Sequence, residues 1–217
     1  MTVCFNVYCN LMKRKSEKHS LYNICLRMLG VSLSPVKRLV LETIWTLSKP
    51  VKPVEVAAEV RLSFPTVMMH VVGLAKMGYV KAVEKGCYVI TDKGKEVLGL
   101  PTIDSAKAKQ ILAYVPAEKS FHFYADVGKP LNVYAASLGD FCDKIQKIEI
   151  ASIEFHLYRG DFEAWFTGLG DVELARKTAL IKERKMSGEE LRKKLYETVK
   201  SRCEELAKIK QQSPSLK

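Results

Sequence analysis

The densest run of chemically capable side chains is His156-Leu-Tyr-Arg159-Gly-Asp161-Phe-Glu-Ala-Trp165. A histidine and an aspartate this close can share a proton, and the neighbouring guanidinium adds a fork suited to anions. His156, Arg159, Asp161 and Trp165 therefore form one candidate ligand pocket. The same residues also fit a purely structural arrangement. His156 is then a satisfied core histidine, Asp161 an N-cap, and Phe162 and Trp165 core aromatics. That arrangement is favoured, because no further catalytic signature accompanies the cluster. The chain contains no Gly-x4-Gly-Lys-[Ser/Thr], no Gly-x-Gly-x2-Gly after a strand, no Gly-x-Ser-x-Gly and no His-Glu-x2-His. A non-enzymatic protein without cofactor or metal is expected.

The six cysteines (4, 9, 25, 87, 142 and 203) include no Cys-x2-Cys pair. Cys4, Cys9, His19 and Cys25 are spaced unlike a compact zinc knuckle, so the thiols read as reduced and unligated.

A second candidate lies in the first half, where the elements are sharply punctuated. Ser34-Pro35 opens a helix carrying Val36, Leu39, Val40, Ile44 and Leu47 at helical spacing, and Lys49-Pro50 ends it. Val54, Val56, Ala57 and Val60 follow as a short second helix. Ser63 caps a third, in which Val67, Val71 and Leu74 face inward and Gly78 marks the stop. Tyr79–Val83 and Cys87–Thr91 read as strands joined by Glu84-Lys85-Gly86, and Asp92 reads as the cap of a closing helix, Lys93–Leu98.

The stretches Ser63-x2-Thr66-Val67-x2-His70-Val71-x2-Leu74-x3-Gly78-Tyr79-Val80 and Tyr88-Val89-Ile90-Thr91-Asp92-x-Gly94-x2-Val97-Leu98 carry a resemblance. Residues 34–99 resemble the winged helix-turn-helix regulators of the MarR/ArsR type, particularly their archaeal forms. The resemblance implies transcription regulation on double-stranded DNA, with the third helix in the major groove and the wing tip on phosphate or minor groove. Those roles fall on Ser63, Phe64, Thr66, Met69 and His70 of the helix and on Lys81 and Lys85 of the wing. Lys37, Arg38 and Lys52 add cations for phosphate.

The residues themselves complicate that transfer. No Arg, Lys, Asn or Gln lies between Ser63 and Ala75, and these are the usual bidentate readers of guanine and adenine. The outer face instead presents Phe64, Thr66, Met68, Met69 and Val72, while Glu55 and Glu59 sit where they would repel phosphate. Binding would rest on the backbone and on shape more than on base edges. An apolar face of this kind also suits a protein-interaction adaptor, and a basic chain suits RNA or ribosome association.

The charge distribution favours a polyanion. The 217 residues hold 35 Lys+Arg against 24 Asp+Glu, for a net charge of +11. Residues 34–99 contribute ten basic and six acidic side chains, and residues 120–186 nine and ten. The excess thus sits in the first half and near the C-terminus. No apolar run approaches the ~20 residues of a membrane helix. The basic Lys13-Arg14-Lys15 follows the apolar start, unlike a signal peptide, so a cytoplasmic protein is expected. Four Asn and four Gln beside abundant Lys and Glu resemble thermophile usage.

Residues 1–33 read as an extension in which Ser16 caps a helix with the stripe Leu21, Ile24, Cys25, Met28 and Leu29. Such a helix suits a homodimer matched to paired half-sites, packing on its own domain, or an upstream extension of a start at Met28. Residues 100–119 read as a connector with a helical piece around Ser105–Tyr114.

Residues 120–210 read as an α-rich domain with a β-hairpin, Phe121–Ala125 and Leu131–Ala136. Helices follow, opened by Ser137, Asp161 and Asp171. The last starts at Ser187-Gly-Glu-Glu190 and buries Leu191, Leu195, Val199, Cys203 and Leu206, with a tail from Gln211. From Phe121 to Leu206 this half resembles an archaeal domain family of unknown function, which implies an architecture and no chemistry. The whole is expected to be a mostly helical α+β protein: a winged helix followed by a sensing or assembly domain whose effector the sequence does not name.

Overall fold

The computed structural model describes residues 33–211. The fold is mostly helical α+β, with two small antiparallel hairpins. The N-terminal helix expected from Ser16, its dimer role, the Cys4/Cys9/His19/Cys25 spacing and the tail beyond Gln211 lie outside the described residues.

Helix α1, Pro35–Leu47, starts where the Lys37 N–H donates to Ser34 Oγ at 3.4 Å. Helix α2, Pro53–Val60, is opened by Glu55, whose carboxylate accepts the Lys52 N–H at 2.8 Å. Ser63 caps α3, Phe64–Lys76, by accepting the Thr66 N–H. The three helices bury Val40, Leu41, Ile44 and Trp45, Val56 and Ala57, and Val67, Val71 and Leu74 in one core.

Strand β1, Val80–Ala82, pairs antiparallel with β2, Tyr88–Ile90, across a one-turn 3-10 helix at Glu84–Gly86. Val51, between α1 and α2, exchanges two backbone hydrogen bonds with Tyr88, at 3.0 and 2.8 Å, and so ties the hairpin to the helices. Helix α4, Asp92–Val97, is capped by Thr91 and not by Asp92. The Thr91 hydroxyl does two jobs at once, accepting the Gly94 N–H and donating to Gly78 O. A carboxylate at position 91 cannot donate.

Leu100 completes the first core, whereas helix α5, Ser105–Leu112, places Ala108 and Ile111 in a second one. The second hairpin, β3 (Phe121–Asp126) and β4 (Lys129–Ala135), turns Phe121 and Phe123 inward. Helices α6 (Leu138–Ile145), α7 (Ile150–Arg159), α8 (Asp161–Leu169), α9 (Val172–Glu183) and α10 (Gly188–Gln211) enclose that core.

Two local expectations change, and α9 adds a feature of its own. Gly160, at φ 86°, precedes α8, and the Asp161 carboxylate makes no cap because it is engaged by His156 and Arg159. On α10 the buried stripe runs Leu191, Leu195, Val199, Arg202 and Leu206, with Cys203 only half-buried beside it. On α9 the apolar Val172 is exposed along with Glu183, while Glu173, Lys177 and Thr178 are buried.

Candidate functional site

Helix α3 stands with its outer face open. Phe64 and Met69 are 50% and 63% exposed. With Pro65, Met68, Val72, Gly73 and Lys76 they line a shallow groove of about 450 Å³. The Ser63 and Thr66 hydroxyls lie 2.8 Å apart and bond to each other. His70 is half-buried beside them.

Of the cations, Lys76 lines this groove and Lys37 borders it. Lys52 and Lys81 are exposed, and Lys37 lays its stem across Gly73. A methyl on Gly73 would sit 3.3 Å from Lys37 Cε. Arg38 is paired with Glu42 at 3.3 Å, so it is less available than its sequence position suggests. Lys85 lies in the 3-10 turn at the hairpin tip.

The nearby carboxylates are largely neutralised. Lys49 reaches Glu55 at 3.1 Å, Arg184 reaches Glu59 at 2.5 Å, and Arg176 reaches Glu42 at 3.0 Å. The Lys52 N–H and the Lys49 ammonium hold the Glu55 carboxyl below its usual range. Repulsion of phosphate by Glu55 and Glu59 is thereby weakened, Arg176 coming from α9 and Arg184 from the residue just past its C-terminal end.

The second candidate is also assembled, but tightly packed. His156 Nε2 accepts the Tyr124 N–H at 2.8 Å. The ring proton must then sit on Nδ1, where it donates to Asp161 Oδ2 at 2.7 Å. Arg159 Nε lies 3.3 Å from the same oxygen. Phe121, Phe123, Phe155 and Phe162 surround the imidazole, with centroids 4.8 to 6.1 Å away. Burial pushes the imidazole pKa down and outweighs the opposing pull of Asp161. Both ring nitrogens are engaged, which leaves no lone pair for a substrate proton. Trp165 joins through Phe121 and donates Nε1–H to Lys119 O at 2.9 Å.

A third constellation was missed by sequence reasoning. Where the two cores meet, Arg202, Lys95 and Lys177 enclose Asp171, Glu173 and Glu205. Arg202 holds Asp171 through two bonds and donates Nη1–H to Glu173 at 2.8 Å and to Glu205 at 2.7 Å. Lys95, from α4, bonds both Glu173 and Glu205. Lys177 reaches Glu173 at 3.2 Å and Ser48 Oγ at 2.7 Å, and Trp45 Nε1–H donates to Glu173 at 2.8 Å.

Burial alone would raise the Glu173 carboxyl. The charges of Arg202, Lys177 and Lys95, with the Trp45 hydrogen bond, override it and hold the pKa at about 2. Three cations balance three carboxylates, which lets the group survive burial. In the sequence these residues look like ordinary helical charge pairs at i,i+3 and i,i+4. Only the third dimension shows that they face inward.

Residues 99–200 match the model of a family of unknown function, DUF5752. No curated protein and no solved structure matches the chain. The matched segment starts where α4 ends, and it holds Asp171, Glu173 and Lys177 but not Trp45, Lys95, Arg202 or Glu205. No helix among the described residues is long and apolar enough to cross a membrane.

Proposed function

We propose that the protein is a winged-helix DNA-binding regulator whose α3 enters the major groove while the β1–β2 hairpin lies along the backbone. The reading rests on the order α1, α2, α3, hairpin and α4, with Val51 bridged to Tyr88 and the outer face of α3 left open. The carboxylates on α1 and α2 are paired away, so Lys52, Lys76 and Lys81 give the surroundings of α3 a positive balance. Binding is dominated by phosphate contact, with little hydrogen-bonded base readout.

The second unit, clamped on through Arg202 and Glu173, serves sensing or assembly and moves with the first as one piece. On this reading the protein is cytoplasmic and not an enzyme.

A second reading has its own observation: the apolar α3 groove suits a protein partner. Two variants separate them. On the DNA reading, charge reversal at Lys52 and Lys81 weakens a mobility shift with random duplex strongly, because each lost phosphate contact removes counterion release. An intact shift in that variant, with self-association abolished by Met69→Glu, favours the adaptor.

A further inference from the structure

The proposed DNA-binding reading leaves open what α3 recognises once it lies in the groove. Resting on that reading, we infer that α3 recognises the 5-methyl groups of thymine, so that its preferred substrate is a duplex dense in major-groove methyls.

The first argument is what the helix lacks. From Ser63 to Ala75 it carries no Arg, Lys, Asn or Gln. The Ser63 and Thr66 hydroxyls, the best remaining donors, bond to each other, and Ser63 also accepts the Thr66 N–H. That leaves one hydroxyl proton and the half-buried His70 ring, so hydrogen-bonded reading of guanine or adenine is sparse. The apolar mark that distinguishes one base in the major groove is the thymine methyl.

The second argument is what the helix presents. Phe64, Met68, Met69 and Val72 sit on one face in an open groove of about 450 Å³. Methionine adapts its shape to small apolar protrusions, and aromatic edges pack against methyls. The frame around the groove suits a phosphate-bearing partner. Lys76 lines it and Lys37 crosses Gly73 beside it, while Lys52 and Lys81 are exposed at the start of α2 and on β1. Meanwhile Glu42, Glu55 and Glu59 are each bound to a cation.

The test is a fluorescence-anisotropy titration of the full chain with two ~20-base-pair duplexes of one sequence, at ~50 mM salt, where phosphate contacts alone give measurable affinity. One contains thymine and the other deoxyuridine at every such position, so only methyl groups differ. Each buried methyl is worth about fourfold, and two contacts predict about fifteenfold tighter binding of the thymine duplex. Replacing cytosine by 5-methylcytosine in the deoxyuridine duplex restores part of the loss. Phe64→Ala and Met69→Ala, both at exposed positions, bring the thymine preference close to one without changing the salt dependence. Equal affinity of the wild type for both duplexes overturns thymine recognition while leaving DNA binding intact. No affinity for either overturns both.

Discussion

Arg202 and Asp171 form a fully buried two-pronged ion pair, Nε to Oδ2 at 2.9 Å and Nη2 to Oδ1 at 3.0 Å. Asp171 also caps α9 by accepting the Leu174 N–H at 3.0 Å. One carboxylate thus starts the helix that carries Glu173 and Lys177 and anchors the guanidinium that faces them. The pair supports the contact between the two units, because Arg202 also holds Glu173, which accepts the Trp45 Nε1–H. Arg176–Glu42 and Arg184–Glu59 link the units separately.

Arg202→Met should destabilise the protein by about 3–5 kcal/mol, since it leaves buried carboxylates uncompensated. Arg202→Lys should recover only part of this, because an ammonium cannot span both Asp171 oxygens. Urea denaturation followed by far-UV circular dichroism reads both values. A loss under 1 kcal/mol in Arg202→Met would contradict the clamp.

Glu173 sets an acid limit. Its folded pKa of about 2 lies below the ordinary 4.5, so the unfolded chain binds the extra proton. The stabilisation is present above about pH 4.5 and is lost as pH falls towards 2. Glu173→Gln should flatten the stability profile over that window. An unchanged slope there would remove Glu173 from the hub.

His156 acts at milder pH but with the same sign. Burial lowers its pKa below 6.5, so the folded state resists the proton that the unfolded state accepts. Stability from this group is full above about pH 6.5 and declines as pH falls below it. Comparison of wild type with His156→Gln between pH 7 and 5 isolates the effect: the variant should lose less on acidification. A steeper loss in the variant would mean that the fold favours the protonated ring and would contradict the lowering by burial.

Gly94 is the tightest backbone approach in the first unit. A Cβ there would lie 2.2 Å from Tyr79 O and 2.8 Å from an Ile90 side-chain carbon. Gly94→Ala should therefore cost about 1–3 kcal/mol as an overpacking change, visible as a lower thermal midpoint. A neutral substitution would mean that α4 can slide on the hairpin.

The first unit was legible because its signals are local. Ser34-Pro35, Ser63 and Gly78 punctuate the helices, and Val67, Val71 and Leu74 give the inward face of α3 by spacing alone. The second unit was legible as elements but less so as contacts. Asp161 has the sequence appearance of a cap, yet His156 and Arg159 compete for its oxygens across a helix boundary. Arg202 was missed for a plainer reason: arginine on an amphipathic helix normally marks the solvated face. Its burial depends on Asp171 and Glu173, some thirty residues away. Periodicity cannot encode such a partner. The pairing of Glu59 with Arg184 was hidden in the same way, and it softens the repulsion that the α2 carboxylates appeared to impose.

The central claim, that α3 and the β1–β2 hairpin engage the DNA backbone, is tested most directly by the salt dependence of duplex affinity. Contacts from about four cations, Lys37, Lys52, Lys76 and Lys81 among the described residues, predict log K falling against log salt with a slope of about −4. The Lys52→Glu and Lys81→Glu double variant should have a slope shallower by about 2. Absence of binding at ~50 mM salt, or an affinity indifferent to salt, would contradict the account.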